Sequence, residues 1–201
     1  MDGHALAAEG RRERKKRELR ERILDQASDL IAERGLPATT IDDIAARVDI
    51  SQSTFFNYFH TKTSLVEALV ARVVHQWNEL VEQAHATDSR TQDKVAALFQ
   101  MSAALTEDQH RLLRALVAET VRAPADASDG LNHMRALFRA DIADGQERGE
   151  VRTDYDPATL ADAVLGLYSS VLLFWTTEAD YPVAQRLRDA GALAVELLHP
   201  R

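Results

Sequence analysis

Apolar residues recur at steps of three and four along nearly the whole chain, and no series of segments alternates with the period of two that strands require. From Arg11 the stripe Leu19, Ile23, Ala27, Leu30 and Ile31 predicts a long helix, ended by Gly35, which accepts positive φ, and kept from resuming by Pro37. Residues 1–10 lack a sustained period and are expected to form a flexible tail. Ile41, Ile44, Ala45 and Val48 predict a short helix capped by Thr40. Asp49 and Ile50 connect it to a second short pattern, SQSTFFNYF, which Ser51 can cap. Thr61 can cap a longer helix reaching about Ala86, with Leu65, Val66, Leu69, Val70, Val73, Trp77, Leu80 and Val81 on its apolar side. About 25 residues at 1.5 Å each make a rod about 37 Å long, enough to leave one domain and enter another.

Beyond it, the spacings Ser89 to Gln92 and Thr106 to Gln109 fit capping boxes and predict helix starts near 90 and 107, with Pro124 ending the second of these helices. Leu131, Met134, Leu137, Phe138 and Ile142 mark the inward side of a helix over about 127–148, before Gly149. Asp156 followed by Pro157 starts the most apolar helix, to about Glu178. Pro182 starts the last, with Val183, Leu187, Ala190, Ala194, Leu197 and Leu198. The fold class expected is all-α, with about nine helices. The domains expected are a tail over 1–10, a helix-turn-helix domain over 11–60 and a larger helical domain over 61–201.

Two short helices joined by a tight turn suggest a helix-turn-helix, whose second helix enters the DNA major groove. The residues carry the pattern further. Gly35, Thr39, Thr40, Ile44, Ala45, Ile50, Ser51, Thr54, Phe55, Phe56, Tyr58, Phe59, Lys62 and Leu65 fall where the DNA-binding domain of the tetracycline-repressor (TetR) family has its motif residues. The stretch from about residue 11 to 70 resembles that domain. It departs in two places: Asp49 stands for the usual turn glycine, and Phe56 for the common first tyrosine of the aromatic pair. Aspartate tolerates the left-handed conformation, so the first change is mild. The second removes a hydroxyl that bears on DNA contact.

In the second helix of the motif, Gln52, Ser53 and Phe56 are the expected base readers. A glutamine pairs bidentately with adenine, a serine bonds several bases, and an aromatic edge packs on a thymine methyl. The resemblance implies the same three positions. It also implies phosphate contacts from Thr40, Tyr58 and Lys62, which set register without reading sequence. Ser51 can serve as cap, phosphate contact or both, and Arg11 and Arg12 at the basic start of the first helix are further expected phosphate contacts. Phe55 and Phe59 read as filling of the small domain's core.

Charge changes the picture only when divided. The net charge is -8, with 24 Lys or Arg and 32 Asp or Glu. Residues 1–62 carry eleven of each sign, so the whole deficit lies beyond them. Arg11–Arg22 holds eight basic residues against Glu13, Glu18 and Glu21. An acidic remainder repels phosphate and turns the basic pole toward DNA. There is no cysteine, which excludes disulfides, thiolate metal sites and cysteine nucleophiles. His4, His60, His75, His85, His110, His133 and His199 include no H-x-x-x-H pair, and no phosphate-binding glycine loop or nucleophile elbow occurs. We therefore expect no enzyme, metal site or cofactor. The absence of a signal core and of a long uncharged apolar run makes a cytoplasmic protein without membrane contact the default.

Ala163, Gly166 and Ser170 are small residues at helical spacing, and Leu167 and Val171 add apolar surface on the same helix. Together with Leu187 and Ala194 of the last helix they are the expected interface of a homodimer, which in the resembling family is a four-helix bundle. The resemblance further implies a pocket for a hydrophobic small-molecule effector, with Trp77, Phe99, Met101, Leu105, Met134, Phe138, Tyr168 and Phe174 as its candidates. The function expected is a repressor that binds a palindromic operator on double-stranded DNA and is released by that effector. The alternatives are a small-molecule-binding protein or enzyme with a vestigial DNA head, and a ligand-independent architectural DNA binder.

Overall fold

A computed structural model describes residues 3–85, 89–122 and 129–200. Among these residues the chain is all-helical, with nine helices and no strand: α1 (Gly3–Arg34), α2 (Ile41–Val48), α3 (Gln52–Phe56), α4 (Lys62–His85), α5 (Thr91–Asp108), α6 (His110–Arg122), α7 (Asp129–Glu147), α8 (Pro157–Thr177) and α9 (Val183–Leu198). It divides into two compact units, Met1–Ala71 and Arg72–Arg201, so helix α4 contributes residues to both.

In the first unit, α1 begins at Gly3, so the expected tail is helical from there. The reason lies in Ala5–Glu9, a run of strong helix formers that needs no apolar stripe. Ile23, Leu24, Ala27, Leu30 and Ile31 are buried with Ile44, Ala45, Val48, Phe55, Phe59, Leu65 and Leu69. Gly35 (φ 85°) ends α1, its N–H donating to the Ile31 carbonyl at 2.8 Å. Buried Thr39 donates its hydroxyl to the Gly35 carbonyl at 2.9 Å, which fixes the approach to α2.

The second unit is built on a single apolar cluster drawn from α4 to α9. Helix α5 packs most extensively on α9, and α8 packs on α9 and α7. Gly191 lets α9 approach α5 closely: a Cβ there would stand 2.6 Å from the Cβ of Phe99. Asp156 caps α8 as expected, accepting from the N–H groups of Ala158 and Thr159 at 3.0 Å each, ahead of Pro157. Among the described residues α8 is the one helix long and apolar enough to cross a membrane. Here it buries Leu160, Val164, Tyr168, Val171 and Trp175 in the cluster, and its Asp162 pairs with Arg135 at 2.5 Å.

Two expected caps fall elsewhere. Ser89 does not cap α5; Arg90 holds that position without a side-chain bond, and the Thr91 N–H is satisfied by the Glu150 carboxylate at 3.2 Å. Thr106 lies inside α5, because its buried hydroxyl turns back onto the Ala103 carbonyl at 2.8 Å, and the break comes at Gln109. Ala86, Pro124 and Ala127 lie outside the described residues.

Candidate DNA-binding surface

Helix α2 starts with a reciprocal cap. Thr40 Oγ1 accepts from the Asp43 N–H at 3.2 Å, and the Asp43 carboxylate accepts from the Thr40 N–H at 3.0 Å. The Thr40 hydroxyl, then its N–H, then the guanidinium of Arg34 hold the Asp43 carboxyl below its usual range. The turn follows from Asp49, whose left-handed φ of 60° and ψ of 53° let its N–H reach the carbonyls of Ala45 and Ala46. The aspartate thus takes the conformation that a glycine commonly supplies. Ser51 caps α3 by accepting from the Thr54 N–H at 3.1 Å. Helix α3 is shorter than the sequence pattern, five residues, because the chain turns after Phe56 to bring Phe59 into the core.

Long side chains pin this hairpin to α1. Arg22 donates to the Val48 carbonyl at 3.0 Å, Arg47 pairs with Glu33 at 2.8 Å and Arg34 pairs with Asp43 at 2.9 Å. Lys62 donates to the Leu36 carbonyl at 2.7 Å, and the guanidinium of Arg20 sits 5.2 Å from the centre of the Phe59 ring. Exposed ion pairs contribute about 0–1 kcal/mol each, so their effect is orientation more than stability. Sequence spacing gives no sign of them, since the partners sit on different elements.

The outward face of α3 carries the three expected base readers. Gln52, Ser53 and Phe56 are exposed, with Phe56 at 39%. Phe56 packs edge-on against buried Phe55 at 5.8 Å, which holds its ring while leaving an edge in solvent. Ser53 Oγ lies 2.8 Å from Ser51 Oγ, and the Gln52 amide donates to the Asp42 carboxylate. Of the expected phosphate contacts, Thr40 and Ser51 are exposed caps, whereas half-buried Lys62 spends one of its three donors on Leu36. Tyr58 lines an open groove with Arg12, Lys15, Lys16, Leu19 and Glu13, and Arg11 is exposed on the same helix.

The second unit separates the remaining candidates. Phe99, Met134, Phe138 and Tyr168 are buried in the cluster, with Trp77 and Leu105 packed against it and Met101 half-buried. Trp77 and Phe99 each stand 5.6 Å from the Tyr168 ring. The Trp77 N–H and the Tyr168 hydroxyl both reach Ser102 Oγ at 3.3 Å, a polar junction inside an apolar wall that the sequence reading did not single out. Burial pushes the Tyr168 hydroxyl above its ordinary pKa, so it stays protonated and able to donate. Phe174 does not belong to that wall: it is 48% exposed and faces Tyr181 at 6.2 Å.

Ala163, Leu167 and Ser170 are half-buried and Gly166 is exposed, on the side of α8 that ends in exposed Leu173 and Phe174. Val171, Leu187 and Ala194, in contrast, are enclosed in the chain's own cluster and offer no surface to a second copy. Helix α9 is apolar on more than one side, and it is Leu193, 53% exposed, that points out of the cluster.

Comparison with known proteins bears on the same residues. The family model described as bacterial regulatory proteins, tetR family, matches residues 23–69, from α1 to the first turns of α4. The uncharacterized HTH-type transcriptional regulator YvkB of Bacillus subtilis is 32% identical over 114 residues, which is 56% of this chain and 56% of that protein. A tetR-family transcriptional regulator from Pectobacterium atrosepticum superposes with a TM-score of 0.73 at 20% identity, over 93% of this chain and 98% of its own. FadR of Thermus thermophilus, a TetR-family transcriptional repressor solved with lauroyl-CoA, gives a TM-score of 0.63 at 25% identity, over 90% of this chain and 96% of its own. None of these relatives is described as an enzyme. Residues 23–69 thus carry the tetR-family motif on the exposed hairpin, and the all-helical fold of the described residues is the one seen in solved tetR-family regulators.

Proposed function

We propose that this protein is a homodimeric repressor that binds a palindromic operator through α3 and is released by a small hydrophobic effector bound among α4, α5, α7 and α8. The observation that carries the reading is the face of α3, where Gln52, Ser53 and Phe56 stand exposed on a hairpin whose two caps and turn are fully formed. The basic groove of Arg12, Lys15 and Lys16 beside Tyr58 supports phosphate contacts from α1, with Arg11, Thr40, Ser51 and Lys62 completing them. A protein that reads chromosomal DNA in a bacterium works in the cytoplasm.

The exposed side of α8 at Gly166, Leu173 and Phe174, with Leu193 of α9, supports pairing of two copies, because such apolar surface is rarely left to solvent. Pairing matches protein symmetry to a two-fold operator. The aromatic wall with its Ser102 junction suits an effector that is mostly apolar and carries one or two hydrogen-bonding groups. Its ligand can shift the operator equilibrium only by its difference in affinity between the two forms.

Selection from a random duplex library, followed by footprinting on DNA flanking the gene, tests the reading. The expected result is one enriched palindrome whose base preference relaxes in Gln52→Ala. Lys62→Ala weakens binding to all sequences and flattens the salt dependence by about one unit of slope. No enriched site, or the same behaviour from both variants, refutes the division between reading and positioning.

A further inference from the structure

Asp42 is an odd residue to find on a DNA-facing surface. It occupies the first turn of α2, is exposed, and places a negative charge beside the helix that is to approach phosphates. Its neighbour Asp43 has a local task in the capping box and in the pair with Arg34. The Asp42 carboxylate instead accepts a hydrogen bond from Nε2 of Gln52, ten residues on and the first residue of α3.

That bond constrains the chemistry Gln52 can offer. A carboxylate only accepts, so the amide nitrogen has to face Asp42 and the carbonyl oxygen has to face away. The glutamine is left with one acceptor, Oε1, and one remaining N–H. Adenine presents an N6 donor beside an N7 acceptor in the major groove, which complements that pair. Guanine presents acceptors at both O6 and N7 and leaves Oε1 facing an acceptor. A free glutamine can turn its amide over and meet the guanine edge differently; a tethered one cannot without losing its partner.

We propose that Asp42 is a specificity-determining positioning residue, which fixes the amide of Gln52 so that α3 prefers adenine over guanine at the base pair Gln52 reads. The inference rests on the DNA-reading role given to α3 above, and it adds the direction of that reading and the residue that sets it. Asp42 touches no base in this account, and it contributes no phosphate contact.

The test is the same duplex selection with the full-length protein, run for the wild type, Asp42→Ala, Asp42→Asn, Gln52→Ala and the double variant Asp42→Ala/Gln52→Ala. Asparagine keeps an acceptor oxygen for the Gln52 amide and removes the charge, so it separates the hydrogen bond from helix-dipole and charge effects. We expect Asp42→Ala to lose on the order of tenfold in adenine-over-guanine preference at one symmetry-related pair of positions, the scale of a good bidentate contact. Asp42→Asn keeps the preference, and the double variant is no less selective than Gln52→Ala alone. The salt slope stays the same in Asp42→Ala, because no phosphate contact is lost. The inference is overturned if Asp42→Ala retains the full preference, if Asp42→Asn loses it equally, or if Asp42→Ala acts at a different base pair from Gln52→Ala. A wild type that enriches no motif would overturn the DNA-reading role and this inference together, whereas an enriched motif indifferent to Asp42 overturns this inference alone.

Discussion

The two units of this chain are held together in different ways. In the first, side chains of α1, α2 and α4 tie the short helices and the loop before them in place: Arg22 to Val48, Arg47 to Glu33, Arg34 to Asp43 and Lys62 to Leu36. In the second, long helices bury a broad apolar cluster, and the Trp77–Ser102–Tyr168 junction is an interior exception. A helix as short as α3 does not form on propensity alone. Its position is set by caps and tertiary pins, whereas the second unit is set by packing. The two should therefore fail differently under substitution.

Removing a buried aromatic from each unit gives the sharpest contrast. Phe55 and Trp175 are both fully buried, and truncation to alanine at such sites costs about 3–5 kcal/mol. Phe55→Ala is expected to abolish sequence-specific DNA binding while calorimetry still shows the unfolding of the second unit. Trp175→Ala lowers that second transition. A single transition shifted equally by both variants would break the division into two units.

Two glycines on neighbouring helices probe packing against exposure. Gly191→Ala drives a methyl into Phe99 and should destabilise the protein by about 1–3 kcal/mol, read by denaturant midpoint. At Gly166 a Cβ meets nothing within 4 Å, so Gly166→Glu is expected to leave the monomer folded. Sedimentation should show that it converts dimer to monomer; a dimer of unchanged strength would remove the exposed side of α8 from the interface.

The basic start of α1 predicts a smaller, sequence-blind effect. Replacing both Arg11 and Arg12 by alanine should make the plot of log K against log salt shallower by about two units and weaken binding about tenfold to every sequence tested. A loss confined to the selected operator would mean these residues read bases.

The smallest expected effect is a pH dependence shared by both units. Hydrogen bonds from the Thr40 hydroxyl and N–H lower the Asp43 pKa, and those from the Thr159 hydroxyl and N–H lower that of Asp156. With folded pKa values below the unfolded ones, the caps stabilise fully above the ordinary aspartate range, and that contribution is lost as pH falls through the folded values. Asp156→Asn, which caps without titrating, should narrow the difference in melting temperature between pH 7 and pH 3. An undiminished difference would assign the acid sensitivity to other carboxylates.

Much of this was legible in the sequence because it is local. A helical period needs only the chain's own order, and Thr40, Ser51 and Asp156 cap the helices they precede. Asp49 could be read as a left-handed turn residue because that preference belongs to the residue itself. The capping box failed at Ser89 because its competitor comes from far along the chain, the Glu150 carboxylate, and at Thr106 because the hydroxyl finds the Ala103 carbonyl three residues back within a helix that simply continues.

The sequence by itself determined the helix count, the caps and turn of the hairpin and the identity of the family motif, since each depends on residues within a few positions of one another. Tertiary structure alone decided which side of an apolar helix is spare. Leu187 and Ala194 went inward while Leu193 and Gly166 stayed out, because α5 covers one side of α9 and periodicity does not say which side a partner will take. It also decided that Gln52 reaches Asp42, across a turn whose geometry brings two helices together and which no spacing rule encodes.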